Sequence, residues 1–115
     1  MGLYFGTDGI RGKVNQDLTV EIAEKIGNAL STLKTNPTII VGADTRVSNT
    51  YLALGVAIGA MKGGANVIDI GVCPTAGIAF ITKTIKADYG VVISASHNSG
   101  EYNGIKVFNG DGYKL

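Results

Sequence analysis

Tryptophan is absent from this chain of 115 residues, cysteine and histidine occur once each, and proline occurs twice. With Cys73 alone, no internal disulfide can form, and no cluster of Cys or His has the spacing of a zinc site. A reducing, cytoplasmic setting is therefore expected. Charge is scarce as well: Asp, Glu, Lys and Arg make up 17% of the chain, and the net charge is +1. So weak a field argues against nucleic acid or a membrane surface as partner. No apolar run is long enough to span a bilayer, and the N-terminus lacks the basic-then-apolar pattern of a secretory leader. Low charge also means that many elements must be covered on both sides.

Hydrophobic residues, at 45%, suit a globular protein, and the length suits one domain over 1–115. Glycine is the outlier, with 17 residues dispersed between apolar runs, which points to tight loops where backbone meets backbone or ligand. Residues 3–5 form a short apolar start, and "GTDGIRG" (6–12) reads as a polar loop. Thr19 is placed to cap a helix over 20–34, with Glu21 in its first turn and Val20, Ala23, Ile26, Leu30 and Leu33 at helical spacing. "TIIVGA" (38–43) reads as a buried strand. Ser48 can cap a second helix over roughly 49–62, apolar nearly all round and so expected to be buried, which Gly63-Gly64 ends. "NVIDIG" (66–71) is a strand, and Pro74 opens a third helix running to about Lys86, with Ile78, Ile81 and Ile85 inward. "YGVVISA" (89–95) and "GIKVFN" (104–109) are strands, the second closed by the turn "NGDG". The alternation predicts an α/β fold, a three-layer α/β/α domain with a mixed, mostly parallel sheet. The link from 95 to 104 is too short for a helical crossover, so those two strands are expected to pair antiparallel. A further helix is the expected continuation after "GYKL", as if the chain were a cut piece.

In open α/β sheets ligands bind beyond the carboxyl ends of the strands. Three polar segments follow strands here: "GTDGIRG", "DTRVS" and "SASHNSGEYNG". If they converge on one rim, they bring together Thr7, Asp8, Arg11, Asp44, Arg46, Ser96, His97, Asn98 and Lys106. Two arginines, a lysine and glycine-flanked amides suit a phosphate. Ser96 offers a nucleophile, and His97 or Lys106 a proton carrier. Neighbours on an extended chain point apart, so His97 is a poor base for Ser96 and fits better as a loop brace or an oxyanion donor. Plainer roles stay open: Ser96 as a turn brace, Arg11 as a surface arginine, Asp44 paired with Arg46 or capping a helix, Lys106 as an edge lysine. A serine hydrolase reading lacks a G-x-S-x-G elbow and a separate histidine.

"YFGTDGIRG", "GADTRVS" and "VVISASHN…YNGIKVF", in this order, resemble the first domain of the α-D-phosphohexomutase family. The resemblance covers the whole chain and implies a phosphoserine enzyme. The family's active-site serine stands immediately before His-Asn and maps onto Ser96, not Ser94. It implies catalytic roles for Ser96, Arg11 and Lys106, with Arg11 near the phosphoserine and Lys106 moving a proton. His97 and Asn98 carry over as residues that shape the site, and Thr7, Asp8 and Arg46 stand beside them as phosphate-binding candidates. The implied reaction moves phosphate within a hexose or hexosamine phosphate through a 1,6-bisphosphate intermediate, glucosamine 6-phosphate to glucosamine 1-phosphate being favoured by "GTDGIRG" and "ISASHN". The mannose- and glucose-phosphate branches are the alternative, and a non-catalytic module binding an anion or a partner is the alternative of another class. The implied magnesium ion would touch this chain only through the phosphate on Ser96. Its other ligands are aspartates of a later domain, and no such loop follows Ser96. The family usually has proline after His-Asn, where Ser99 stands here, so a more mobile loop is expected. The remaining domains of such an enzyme are expected partners. Apolar surface left bare without them would favour a homo-oligomer, and the fragment alone is expected to turn over little substrate.

Overall fold

Strand and helix alternate along the chain as the apolar runs predict, with one hairpin added at the start. The computed structural model describes the backbone of residues 4–6, 9–13, 19–43, 47–95, 102–113 and 115, and the side chains of 19–43, 51–93, 104–113 and 115. Its elements are β1 (Tyr4–Gly6), β2 (Gly9–Lys13), α1 (Val20–Ser31), β3 (Thr38–Ala43), α2 (Val47–Lys62), β4 (Asn66–Val72), α3 (Thr75–Thr84), β5 (Tyr89–Ala95) and β6 (Tyr102–Asn109). They build one sheet in the order β1-β2-β6-β5-β3-β4. β3 lies parallel to both β4 and β5, whereas β5–β6, β2–β6 and β1–β2 are antiparallel. The sheet is mixed, as expected. Its parallel share is confined to β5-β3-β4, because the β1–β2 hairpin adds antiparallel strands on the far side of β6.

The central strands explain the apolar runs. Val91, Val92 and Ile93 are consecutive and fully buried, because both faces of β5 are covered. On one face, Leu52, Val56 and Ala60 of α2 with Ala23 and Leu30 of α1 pack on Ile39, Val41, Val91, Ile93 and Ile105. On the other, Ile78 of α3 packs with Ile40, Val92 and Phe108. Each of the buried Val, Leu, Ile and Phe side chains contributes about 1.5–3 kcal/mol by leaving water.

Glycines set the contact between α1 and α2. Gly27 of α1 faces the backbone of Val56 and Ala60, and Gly59 of α2 faces that of Glu24, so the helices meet main chain to main chain. Asn28 Nδ2 donates to the Gly59 carbonyl across the seam at 3.3 Å.

The helix ends differ from the sequence pattern in instructive ways. Thr19 caps α1 as expected, its hydroxyl accepting from the Ile22 N–H at 3.3 Å. The helix stops at Ser31 rather than 34, because the N–H groups of Thr32 and Leu33 turn to carbonyls three residues back, and Leu33 is 59% exposed. α2 begins at Val47, which puts Ser48 inside its first turn instead of at the cap. It is not buried all round: Tyr51, Leu54, Ile58 and Met61 line an exposed face, since the sheet and α1 cover only the remaining sides. α3 stops at Thr84, so Ile85 falls beyond it and stands outside the core. There Lys86 takes a left-handed conformation (φ 59), with Ala87 N–H on the Thr82 carbonyl and Lys86 N–H on that of Lys83. That is the paired-bond helix stop that glycine usually provides, and Gly64 provides it for α2. No helix among the described residues is long and apolar enough to cross a membrane.

Candidate active site

The strand directions decide which segments can meet. β3 and β5 are parallel neighbours, with Ala43 level with Ile93, so 44–46 and 96–101 leave adjacent strands at one edge. β4 ends at the same edge, where the Cys73 N–H donates to the Ala43 carbonyl at 2.8 Å. The N-termini of α2 and α3 follow the ends of β3 and β4, so the positive ends of two helices face this rim. Such a rim favours an anion before any charged side chain is counted.

The first polar segment reaches the rim differently from the sequence expectation. "GTDGIRG" is not a loop throughout: Gly9–Lys13 is β2, pairing antiparallel with β1 so that Gly6 faces Gly9. β1 therefore runs opposite to β5, and its carboxyl end points away from the rim. β2 instead runs parallel to β5, and its last residue, Lys13, pairs with Tyr102 at the rim.

This hairpin puts Arg11 on a strand, opposite Gly104 of β6. Gly104 in turn lies opposite Ser94 of β5, so Arg11, Gly104 and Ser94 occupy one row across the sheet. Two strand spacings, about 10 Å, separate the ends of that row. Ala95, the last residue of β5, is one row nearer the rim, opposite Asn103. Lys106 is half-buried and opposite Val92. The strand period of two gives it the same sheet face as Gly104 and Phe108, and hence the face of the Arg11 position. It lies three residues, about 10 Å, below the end of β5. The backbone thus brings Arg11, Lys106 and the end of β5 to one face of three neighbouring strands.

Thr7, Asp8, Asp44, Arg46, Ser96, His97, Asn98 and Ser99 lie outside the described residues, as does the side chain of Arg11. Among the described residues, no three of His, Cys, Asp and Glu group so as to hold a cation.

The model of the phosphoglucomutase/phosphomannomutase family, alpha/beta/alpha domain I, matches residues 2–115. The chain belongs to this family. Phosphoglucosamine mutase of Clostridium novyi (strain NT) is 51% identical over 119 aligned residues, and that of Clostridium acetobutylicum is 49% identical. Each alignment covers 100% of this chain but only 26% and 27% of those relatives, so the chain spans about a quarter of their length. A crystal structure from Thermus thermophilus superposes on the whole chain with a TM-score of 0.89 at 26% identity, covering 27% of that protein. A phosphoglucomutase/phosphomannomutase family protein from Burkholderia thailandensis matches 94% of the chain, with a TM-score of 0.80 at 28% identity, over 26% of its own length. This chain has the α/β/α architecture of the first family domain.

Proposed function

We propose that this chain is the phosphate-carrying domain of a phosphoglucosamine mutase, with Ser96 as the carrier. The observation that carries the reading is the row Arg11–Gly104–Ser94 with Lys106 on the same face. It sets two cation-bearing positions beside the strand that leads into Ser96. The names of the relatives at about half identity support the amino sugar over the mannose and glucose branches.

In the proposed reaction, the C1 hydroxyl of glucosamine 6-phosphate attacks the phosphorus on Ser96. The bond to Ser96 Oγ breaks, and the 1,6-bisphosphate forms. The sugar turns over, Ser96 Oγ attacks the phosphorus at position 6, and glucosamine 1-phosphate leaves. In each half a proton leaves the attacking hydroxyl and one reaches the departing oxygen, the transfer assigned to Lys106. Arg11 offers a planar pair of donors to the transferring oxygens, where charge must be offset. His97, Asn98, Thr7, Asp8 and Arg46 hold phosphate or shape the loop around it.

The test is phosphate loading. Incubated with glucosamine 1,6-bisphosphate, the chain gains the mass of one phosphoryl group. Ser96→Ala loses that gain, and Ser94→Ala keeps it. Phosphate on Ser94, or on neither serine, overturns the assignment and favours a module without a phosphoryl carrier.

A further inference from the structure

The outward face of a surface helix ordinarily carries charged and polar residues. α2 departs from this. Over Val47–Lys62 its one charged residue is Lys62 at the end, which lies 3.6 Å from Glu24 of α1. The outward face instead carries Tyr51, Leu54, Ile58 and Met61, which are 61%, 47%, 39% and 55% exposed. Neither neighbouring layer covers them, because Gly55 and Gly59 face α1, and Leu52, Val56 and Ala60 pack on the sheet. Their spacing suits a second helix. Steps of three, four and three residues set the four in one line along about 15 Å of α2, the a/d spacing with which one helix seats against another. The pattern also reads the same from both ends: Val56 lies midway between Tyr51 and Met61, and midway between Leu54 and Ile58.

We propose that two copies of this chain pair through this face, α2 against α2, antiparallel about a twofold axis level with Val56. The axis sets Tyr51 beside Met61 of the second copy, and Leu54 beside Ile58 of the second copy. Every apolar residue of the stripe then meets an apolar residue, as a face that must complement itself requires. Tyr51 and Met61 bring a thioether to an aromatic ring, a favourable contact. Antiparallel helices oppose their dipoles, and Lys62 is matched by Glu24 within its own chain, so it adds little repulsion at the seam. The four side chains leave on the order of 400 Å² bare on each copy, so the pair buries on the order of 800 Å², the scale of a weak, reversible interface.

Sedimentation equilibrium of the chain from about 10 μM to about 1 mM tests this, with thermal unfolding of each variant as a folding control. The expected weight-average mass of the wild type rises from one chain toward two. Leu54→Lys and Ile58→Glu, each alone, hold it at one chain. Mixed in equal amounts, the two variants associate again, because the antiparallel seam sets the new ammonium beside the new carboxylate. A wild-type chain that stays monomeric throughout that range overturns the inference and leaves the face to another protein or to a further part of a longer chain. A dimer that survives both substitutions overturns it too, since it uses another face. A mixture that stays monomeric overturns the antiparallel pairing. If either variant unfolds, Tyr51→Glu and Met61→Lys replace the pair at the two most exposed positions of the stripe, and their mixture is read in the same way.

Discussion

Replacing Gly59 by alanine separates two opposed effects. In a helix interior the change by itself stabilises, by about 1 kcal/mol. Here a Cβ would stand 2.6 Å from the carbonyl carbon of Glu24 and 2.8 Å from its Cα, and closer still to its carbonyl oxygen. Ordinary carbon contacts lie at about 3.5–4.0 Å, so α1 and α2 must part by about 1 Å. No rotamer can relieve the clash, since the obstacle is main chain. Parting the helices loosens the contacts of Gly27 and of Ala23 against Gly55, and stretches the 3.3 Å bond from Asn28 to Gly59. Overpacking costs about 1–3 kcal/mol, and more when the obstacle is rigid. The lost hydrogen bond adds about 1 kcal/mol. Set against the gain in propensity of about 1 kcal/mol, the net expected loss is about 1–3 kcal/mol. At about 4 °C per kcal/mol for a domain of this size, the midpoint falls by about 4–12 °C. Thermal and urea unfolding followed by circular dichroism measure it. Gly42→Ala is the control, because its obstacle is the movable end of Ile78, and it should lose less. A Gly59→Ala chain as stable as wild type, or more so, refutes the backbone contact between the helices.

Other changes test other parts of the account. Thr19→Ala removes the cap on Ile22 and should cost about 1 kcal/mol in urea unfolding. Asp88 binds the Thr38 N–H at 2.8 Å and Lys34 Nζ at 3.4 Å, so Asp88→Ala leaves a half-buried donor at the start of β3 unpaired and should cost about 1–3 kcal/mol, against little for Lys34→Ala. Lys86→Gly relieves the left-handed residue after α3 and should raise stability by about 1 kcal/mol; a loss would mean the side chain has an unseen role. Lys106→Ala should slow phosphate loading by about 10²-fold or more, with its unfolding midpoint nearly unchanged.

The buried strands were legible because two-sided burial writes itself into sequence. "TIIVGA" and "YGVVISA" are apolar runs bounded by polar turns, and β3 and β5 have the bounds those runs give. Residues 3–5 were legible as a strand, but β2 was not, since three glycines and polar residues over 6–12 resemble a loop. That omission carried into the site. β3 and β5 end together at one edge, as parallel neighbours in register must, but the direction of β1 depends on the hairpin. Arg11 was reached as a candidate through a loop, whereas it stands on β2, and strand register is what sets it level with Ser94. The exposed face of α2 escaped notice because composition reports apolarity and not what covers it.

The central claim is that Arg11, Lys106 and the phosphate on Ser96 meet at one end of the sheet. Amide and side-chain nitrogen spectra of the isotopically labelled chain, before and after loading from glucosamine 1,6-bisphosphate, test it most directly. The account predicts shifts concentrated at Arg11, Gly104 to Lys106 and the end of β5, with Lys34 and Asp88 at the opposite end of the strands unmoved. A loaded chain in which the Arg11 and Lys106 signals stay in place contradicts it.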